Sequence, residues 1–236
     1  MDFAPTTPIA DIVSMAPDSM KVFERYQIDF CCGGKRPIGE VCAAQGVSLD
    51  ALRADIAAAG TNSDSDTRTW TSAPLTELVE HIVSRYHGKL KQDLPGLSRM
   101  SEKVAEVHGD RHPETREVAG VYQQLRAEME SHMMKEEGIL FPIIVQVDQG
   151  NLSHPMAAHI SHPIHVMEQE HESAGAALAR MRALSGGFAV PSDGCKTYEA
   201  LYAGLDELER DLHAHIHLEN NILFPRAIRA ISCGAV

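Results

Sequence analysis

The chain has 236 residues, 44% hydrophobic and 23% charged, the balance of an ordinary globular protein and not of a disordered or collagenous one. With 33 acidic and 21 basic residues the formal net charge is −12, so phosphate backbones and anionic lipid surfaces are poor partners and neither nucleic acid nor membrane is expected. No apolar run reaches the roughly 18 residues of a membrane span, and the opening MDFAPTTPIA has no basic or apolar leader character, so a cytoplasmic protein is expected.

Aromatic residues make up only 5%, while Ala, Leu and Met abound, which favours helix over sheet. The five cysteines, Cys31, Cys32, Cys42, Cys195 and Cys233, are an odd set that fits a reducing compartment better than a disulfide framework.

Residues 1–59 read as four short helices. Ile9, Ile12, Val13 and Met15 mark the first, and Met20, Val22, Phe23 and Tyr26 the second. A third covers Ile38 to Ala44. Ser48 caps the fourth, Leu49 to Ala59, whose apolar face is Leu52 and Ile56. The polar, aperiodic stretch at 60–73 reads as a linker, which would leave residues 74–236 able to fold without residues 1–59.

Four long amphipathic helices follow. Leu75 to Leu90 carries a stripe at 3–4 spacing, broken or kinked at Pro95 and resuming to His108. The second starts at Pro113, carries Val118, Tyr122, Leu125, Met129, Met133 and Leu140, and bends at Pro142. The third starts near Pro163, and the fourth runs from Tyr198 to about Pro225. An all-α chain is expected, a small helical unit followed by a four-helix bundle.

Thirteen histidines are the composition's main departure from average. Residues 132–142, HMMKEEGILFP, and 215–225, HIHLENNILFP, share the pattern H-x3-E-x2-I-L-F-P at an offset of 83 residues. His87 lies 45 residues before His132, and His171 lies 44 before His215. A two-helix unit is therefore repeated, with one His on its first helix and His-x3-Glu on its second. Residues four apart on an α-helix differ by about 40° in direction, so His132 and Glu136 share a face, as do His215 and Glu219. That face is the apolar one. Buried bare carboxylates are costly, and metal ions remove the cost; His with carboxylate suits iron, manganese or zinc. Four His and two Glu divide naturally between two metals. Glu128 and Asp211, one turn upstream, are expected to hold the ring N–H groups of His132 and His215.

A lone histidine on an apolar face is ordinarily a hydrogen-bonded core residue, but that does not account for a duplicated six-residue set. Glu168-x-x-His171 also matches half of a ferritin-like di-iron motif. No second copy exists, so Glu168 and Glu170 are read as near-site acids at most. His81, His154, His159, His162, His165, His213 and His217 are expected on solvated surface. Cys31-Cys32-Gly33-Gly34 places two thiols in a sharp, accessible turn fit for soft-metal capture or exchange. Cys42, Cys195 and Cys233 default to structural roles.

The segment YQIDFCCGG, joined to an H…H-x3-E…H…H-x3-E bundle, resembles the di-iron repair of iron centres family of iron–sulfur cluster repair proteins, ScdA/DnrN type. The likeness covers essentially the whole chain. Residues 1–59 are similar to the ScdA N-terminal domain, and 74–236 to a hemerythrin-like domain. It implies two non-haem iron ions on His87, His132, His171 and His215, bridged by Glu136 and Glu219. It also implies cytoplasmic repair of clusters damaged by nitric oxide or peroxide, with iron donation favoured over catalytic turnover. Damaged or apo iron–sulfur proteins would be the partners, Cys31 and Cys32 would take part, and a homodimer is compatible with it. Two other classes stay open here, an NO- or O2-binding scavenger or sensor and a di-iron NO reductase or peroxidase. His165 stands where some relatives lack histidine.

Overall fold

Short apolar periodicities fold the N-terminal unit into α1 (Ile9–Met15), α2 (Ser19–Arg25), α3 (Ile38–Gln45) and α4 (Leu49–Ala59). The computed structural model describes residues 2–60, 70–151 and 159–234, so the expected linker and His154 lie wholly or largely outside the described residues. The Ser48 hydroxyl accepts from the Ala51 N–H at 3.3 Å, capping α4 as its sequence predicts. The starts of α1 and α3 are clipped together by an isolated antiparallel bridge between Pro8 and Pro37. Around it, Ile9 N–H donates to Arg36 O and Ile38 N–H to Thr7 O. Among the described residues nothing else departs from helix, turn or coil.

The first bundle helix runs as α5 (Leu75–His81), a π-helical segment Ile82–His87, and α6 (Gly88–His108). The second is α7 (Glu114–Lys135), a π segment Glu136–Leu140, and α8 (Phe141–Asp148). The third is α9 (Ser161–Leu184), and the fourth is α10 (Lys196–His217), a π segment Leu218–Leu223, and α11 (Phe224–Gly234). Pro95 is absorbed within α6, and the last helix continues past Pro225 instead of ending there. The reason lies one turn earlier. Pro142 and Pro225 have no N–H to give to the carbonyl four residues back. The chain widens into a π turn ahead of each, with Phe141 N–H donating to Glu136 O and Phe224 N–H to Glu219 O, both five residues back.

Asp148 at the end of the second helix caps the start of the first. Its carboxylate accepts from Leu75 N–H at 3.1 Å, Thr76 N–H at 3.0 Å and the Thr76 hydroxyl at 2.7 Å. This fixes the axial register of the two helices that carry His87 and Glu136.

The bundle interior is two apolar cores and not one. Leu90, Leu94, Tyr122, Leu125, Met129, Leu178, Leu205 and Leu212 belong to the first. Leu78, Ile82, Leu140, Ile144, Ile164, Met167, Leu223 and Phe224 belong to the second. Along each helix the residues of the H…H-x3-E repeat lie where the first core gives way to the second.

The N-terminal unit is docked on the bundle. Ile216 of α10 belongs to the same buried cluster as Ile9, Phe23, Phe30 and Ile38. Phe30 lies edge-on to His213 and His217, with ring centroids at 5.9 and 6.1 Å. Asn221 Nδ2 donates to Cys31 O at 2.9 Å, and Lys35 pairs with Glu168 at 3.5 Å. Removing a buried phenyl ring costs about 3–5 kcal/mol. Phe30→Ala is therefore expected to speed hydrogen exchange throughout α1–α3 while α6 and α7 keep their protection. Equal loss of protection in both units would mean that they unfold as one.

Candidate metal centre

His87, His132, His171 and His215 are buried with at most 1% exposure, and Glu136 and Glu219 with none. Their ligand atoms form two groups, His87–Glu136–His215–Glu219 and His132–Glu136–His171–Glu219, each with all four atoms within 4.8 Å of one another. The two carboxylates are common to both groups. Nε2 of His87 lies 3.2 Å from that of His215, and Nε2 of His171 lies 3.0 Å from that of His132. Glu136 Oε2 stands 3.4 Å from His87 Nε2 and 3.3 Å from His132 Nε2. Glu219 divides its oxygens, Oε1 at 2.9 Å from His215 Nε2 and Oε2 at 3.1 Å from His171 Nε2.

Each motif residue has a physical task. The proline, with no N–H to give, follows directly on the widened turn of its helix. The phenylalanine before it covers an imidazole face: Phe141 stacks on His87 at 5.7 Å and 20°, and Phe224 on His171 at 6.2 Å and 4°. The residue after each motif glutamate holds the Nδ1 of the same ring. Glu137 Oε1 is 2.8 Å from His87 Nδ1, and Asn220 Oδ1 is 2.8 Å from His171 Nδ1. With Nδ1 so engaged, Nε2 of each ring is the free donor, turned toward the shared carboxylates.

The acids expected upstream do not fill the role predicted for them. Glu128 meets Gln124 and Ser173, and Asp211 pairs with Arg85 and Lys89. The ring edges point across the helix interface instead of back along their own helix. His132 Nδ1 accordingly meets Glu170 of α9 at 2.8 Å. Lys91 pins Glu137 at 2.7 Å, and Lys135 pins Glu170. Two Lys–Glu–His chains thus reach inward from the surface. Glu137 and Asn220 occupy equivalent positions of the repeat, 83 residues apart, and that alignment is the signal that could have found them.

Other expectations divide. His165 is exposed beside Gln169, and His159 and His162 are exposed. His81 is half-buried with its ring 4.4 Å from that of Trp70. His217 is buried, not solvated, because the N-terminal unit covers it, and that burial holds its imidazole down to about pKa 4. The cysteine turn is only partly accessible. Cys31 is 4% exposed within the N-terminal core and Cys32 is half-buried, with the two free thiols 3.9 Å apart. Asp29 shapes the turn by accepting from the N–H groups of Cys31, Cys32 and Gly33 at 3.0, 2.9 and 2.8 Å. The hydrogen bond with Cys32, then burial and the Asp29 carboxylate, push the Cys31 thiol well above its ordinary pKa. Gly34 is obligatory, since a Cβ there would lie 2.5 Å from Phe30 O.

The donor set fits a pair of cations. Both Glu136 oxygens and Glu219 Oε2 are buried without a hydrogen-bond donor, and four imidazole Nε2 atoms converge on them. Imidazole plus carboxylate is the donor chemistry of iron, manganese and zinc. Without metal, protons must supply that charge. Burial pulls the His132 imidazole down, but Glu136, Glu219 and Glu170 outweigh it and hold it up at about 9. His87 is raised in the same way. Glu136 and Glu219 are pushed up by burial yet end below the usual carboxylate range, because the facing imidazoles outweigh it.

A raised folded-state pKa stabilises below the unfolded value and is lost as pH climbs through the folded one. Metal-free protein should therefore lose on the order of 3 kcal/mol between about pH 6.5 and 9 from His132. The lowered carboxylates act in the opposite sense, their contribution being lost as pH falls below about 4.5. Metal-loaded protein, whose imidazoles are neutral ligands, should show no such alkaline fall. Thermal melting from pH 5 to 9 with and without metal checks this, and parallel curves would contradict it.

The hemerythrin HHE cation binding domain family matches residues 78–227, and the ScdA_N family, described as a domain of unknown function, matches residues 6–60. The chain is 41% identical to the iron-sulfur cluster repair protein YtfE of Yersinia pseudotuberculosis serotype O:1b (strain IP 31758), over 90% of this chain and 92% of that protein. It is 41% identical to the YtfE of Edwardsiella ictaluri (strain 93-146), over 94% of this chain and 96% of that one. The buried His/Glu group fits a di-iron centre. With its cation-binding helical bundle and its ScdA_N unit matched together, the chain belongs to the family of the YtfE iron-sulfur cluster repair proteins.

Proposed function

We propose that His87, His132, His171 and His215, with Glu136 and Glu219 bridging, hold two iron ions that the protein gives up to damaged or apo iron–sulfur proteins in the cytoplasm under nitrosative or oxidative stress. The observation that carries this reading is the sharing of both buried carboxylates between two His-pair groups. A set of imidazole and carboxylate donors with no thiolate suits ferrous iron that is to be released, since neither donor type is as soft or as strongly held as a thiolate cage. The relatives' name, iron-sulfur cluster repair protein, supports the same reading.

Within this reading the chain's residues divide the work. Glu137, Glu170 and Asn220 orient three of the imidazoles and so set how firmly the ions are held. Glu136 and Glu219 balance the cationic charge in a layer sealed by apolar cores on both sides. Asp29, Cys31 and Cys32 form a further potential ligand group. The 3.9 Å between the thiols is close to the separation of about 3.8 Å that a tetrahedral thiolate pair with bonds of about 2.3 Å would have. Their protons would leave as a metal ion binds. Asn221, adjacent to the His171 partner Asn220, holds Cys31 O, so the thiol turn is seated beside the centre. This supports a role for the thiols in handing iron on, which a gas carrier would not need.

The test compares wild type with Cys31→Ser/Cys32→Ser, both loaded with ferrous iron, in restoring a nitrosylated [4Fe–4S] hydro-lyase without oxygen. The hydroxyl at position 31 can keep the Asp29 contact made by the thiol at 3.3 Å. Wild type is expected to restore hydro-lyase activity while losing iron in proportion. The double variant should start with the same iron and restore several-fold more slowly. Restoration with no loss of iron would overturn donation and favour gas binding, and equal rates would remove the thiols from the path.

A further inference from the structure

The repeat lets the two halves of the centre be compared residue by residue. Glu137 corresponds to Asn220 and Phe141 to Phe224 at an offset of 83, while His87 corresponds to His171 and Tyr86 to Glu170 at an offset of 84. The first-helix histidines are treated alike, each with an Nδ1 acceptor and a stacked phenyl ring. The second-helix histidines are not. His132 Nδ1 meets the Glu170 carboxylate at 2.8 Å, and Lys135 anchors that carboxylate. At the equivalent place His215 meets the face of Tyr86, stacked at 5.4 Å and 11°. Its buried Nδ1 has no acceptor among the described residues.

We infer that the two metal positions are inequivalent, that the one between His87 and His215 is the exchangeable one, and that Tyr86 is the positioning residue that makes it so. The inference rests on the di-iron reading and adds which ion leaves. In the His132/His171 half both rings are fixed and polarised by an acceptor at Nδ1. In the other half only His87 is. An acceptor at Nδ1 makes the imidazole a stronger donor and fixes its plane, and loss of such a partner lowers metal affinity by roughly 10–100-fold. The stack on Tyr86 fixes the plane of His215 but offers no negative charge.

Tyr86 is placed for exit as well. It lines a groove of about 390 Å³ with Lys89, Asp93, Glu207 and Asp211. It also lines a second cavity of about 230 Å³, which Val13 and Met20 of the N-terminal unit share with His217 and Ile222. The half-buried ring on His215 packs at the edge of the second core and has open space on two sides into which it can turn. The three carboxylates of the larger groove gather on Lys89, at 2.5 Å from Asp93, 3.0 Å from Glu207 and 3.3 Å from Asp211.

The experiment follows ferrous iron leaving the reduced, fully loaded chain into excess ferrozine under anaerobic stopped flow. Two phases of one iron each are expected, separated by roughly 10–100-fold in rate. Tyr86→Glu, which copies Glu170 into the other half, should slow the fast phase by about tenfold or more and leave the slow phase in place. Glu170→Gln should speed the slow phase, and it needs no new side chain in the core. Release of both irons in a single phase, or a fast phase untouched by Tyr86→Glu, would overturn the inference while leaving the two-iron centre standing. A slow phase untouched by Glu170→Gln would also overturn it. A chain that takes up no iron would overturn the di-iron reading itself.

Discussion

Two fully buried carboxylates, Glu136 and Glu219, govern the rest of the structure. Each would cost many kcal/mol if left ionised and unpaired in an apolar interior, and side by side they also repel. Everything around them acts as compensation. Four imidazoles face them, and apolar layers on both sides keep water out. Lysines at the surface neutralise the outer carboxylates that orient two of those imidazoles. A packed hydrocarbon interior of the same volume would be the cheaper way to stabilise a bundle. The arrangement is accounted for by a cationic occupant, and the stability given up in the middle of the bundle is restored when that occupant binds.

The internal repeat explains how so many polar atoms come to one layer. A two-helix unit provides one ring on its first helix and a ring and a carboxylate on its second. Doubling the unit closes the two donor groups across the middle, with Glu136 and Glu219 shared. The ILFP segment serves each unit twice, its proline closing the π turn and its phenyl ring lying on a histidine. Where the two copies have diverged, at Tyr86 against Glu170 and Asn220 against Glu137, the halves acquire different outer partners. The substitution of Gly138 by Asn221 in the second copy adds the hydrogen bond that seats the cysteine turn.

Much of this was legible in the sequence. Helix periodicity located the helices, and the matched offsets picked out the six residues that the structure brings together. The π turns escaped because an ideal α period already places His132 and Glu136 on one face, and nothing in that period signals a widened turn. Spacing points to Glu128 for His132 and to Asp211 for His215, whereas the structure gives His132 the Glu170 carboxylate and sets His215 on the face of Tyr86, for a related reason. Spacing along one helix reports which residues share a face, whereas the partner of an imidazole Nδ1 is decided by the neighbouring helix. The burial of His217 is invisible for the same cause, since it depends on how residues 1–59 sit against the bundle, and that of Cys31 depends on packing inside its own unit, which an aperiodic turn does not signal.

The polar layer is a two-metal site and not a hydrogen-bonded core. Diffraction from crystals of iron-loaded protein, recorded on both sides of the iron absorption edge, tests it most directly. Two anomalous peaks per chain are expected, one among His87, His215 and the two glutamates and one among His132, His171 and the same glutamates. A single peak, or none within the layer, would contradict it.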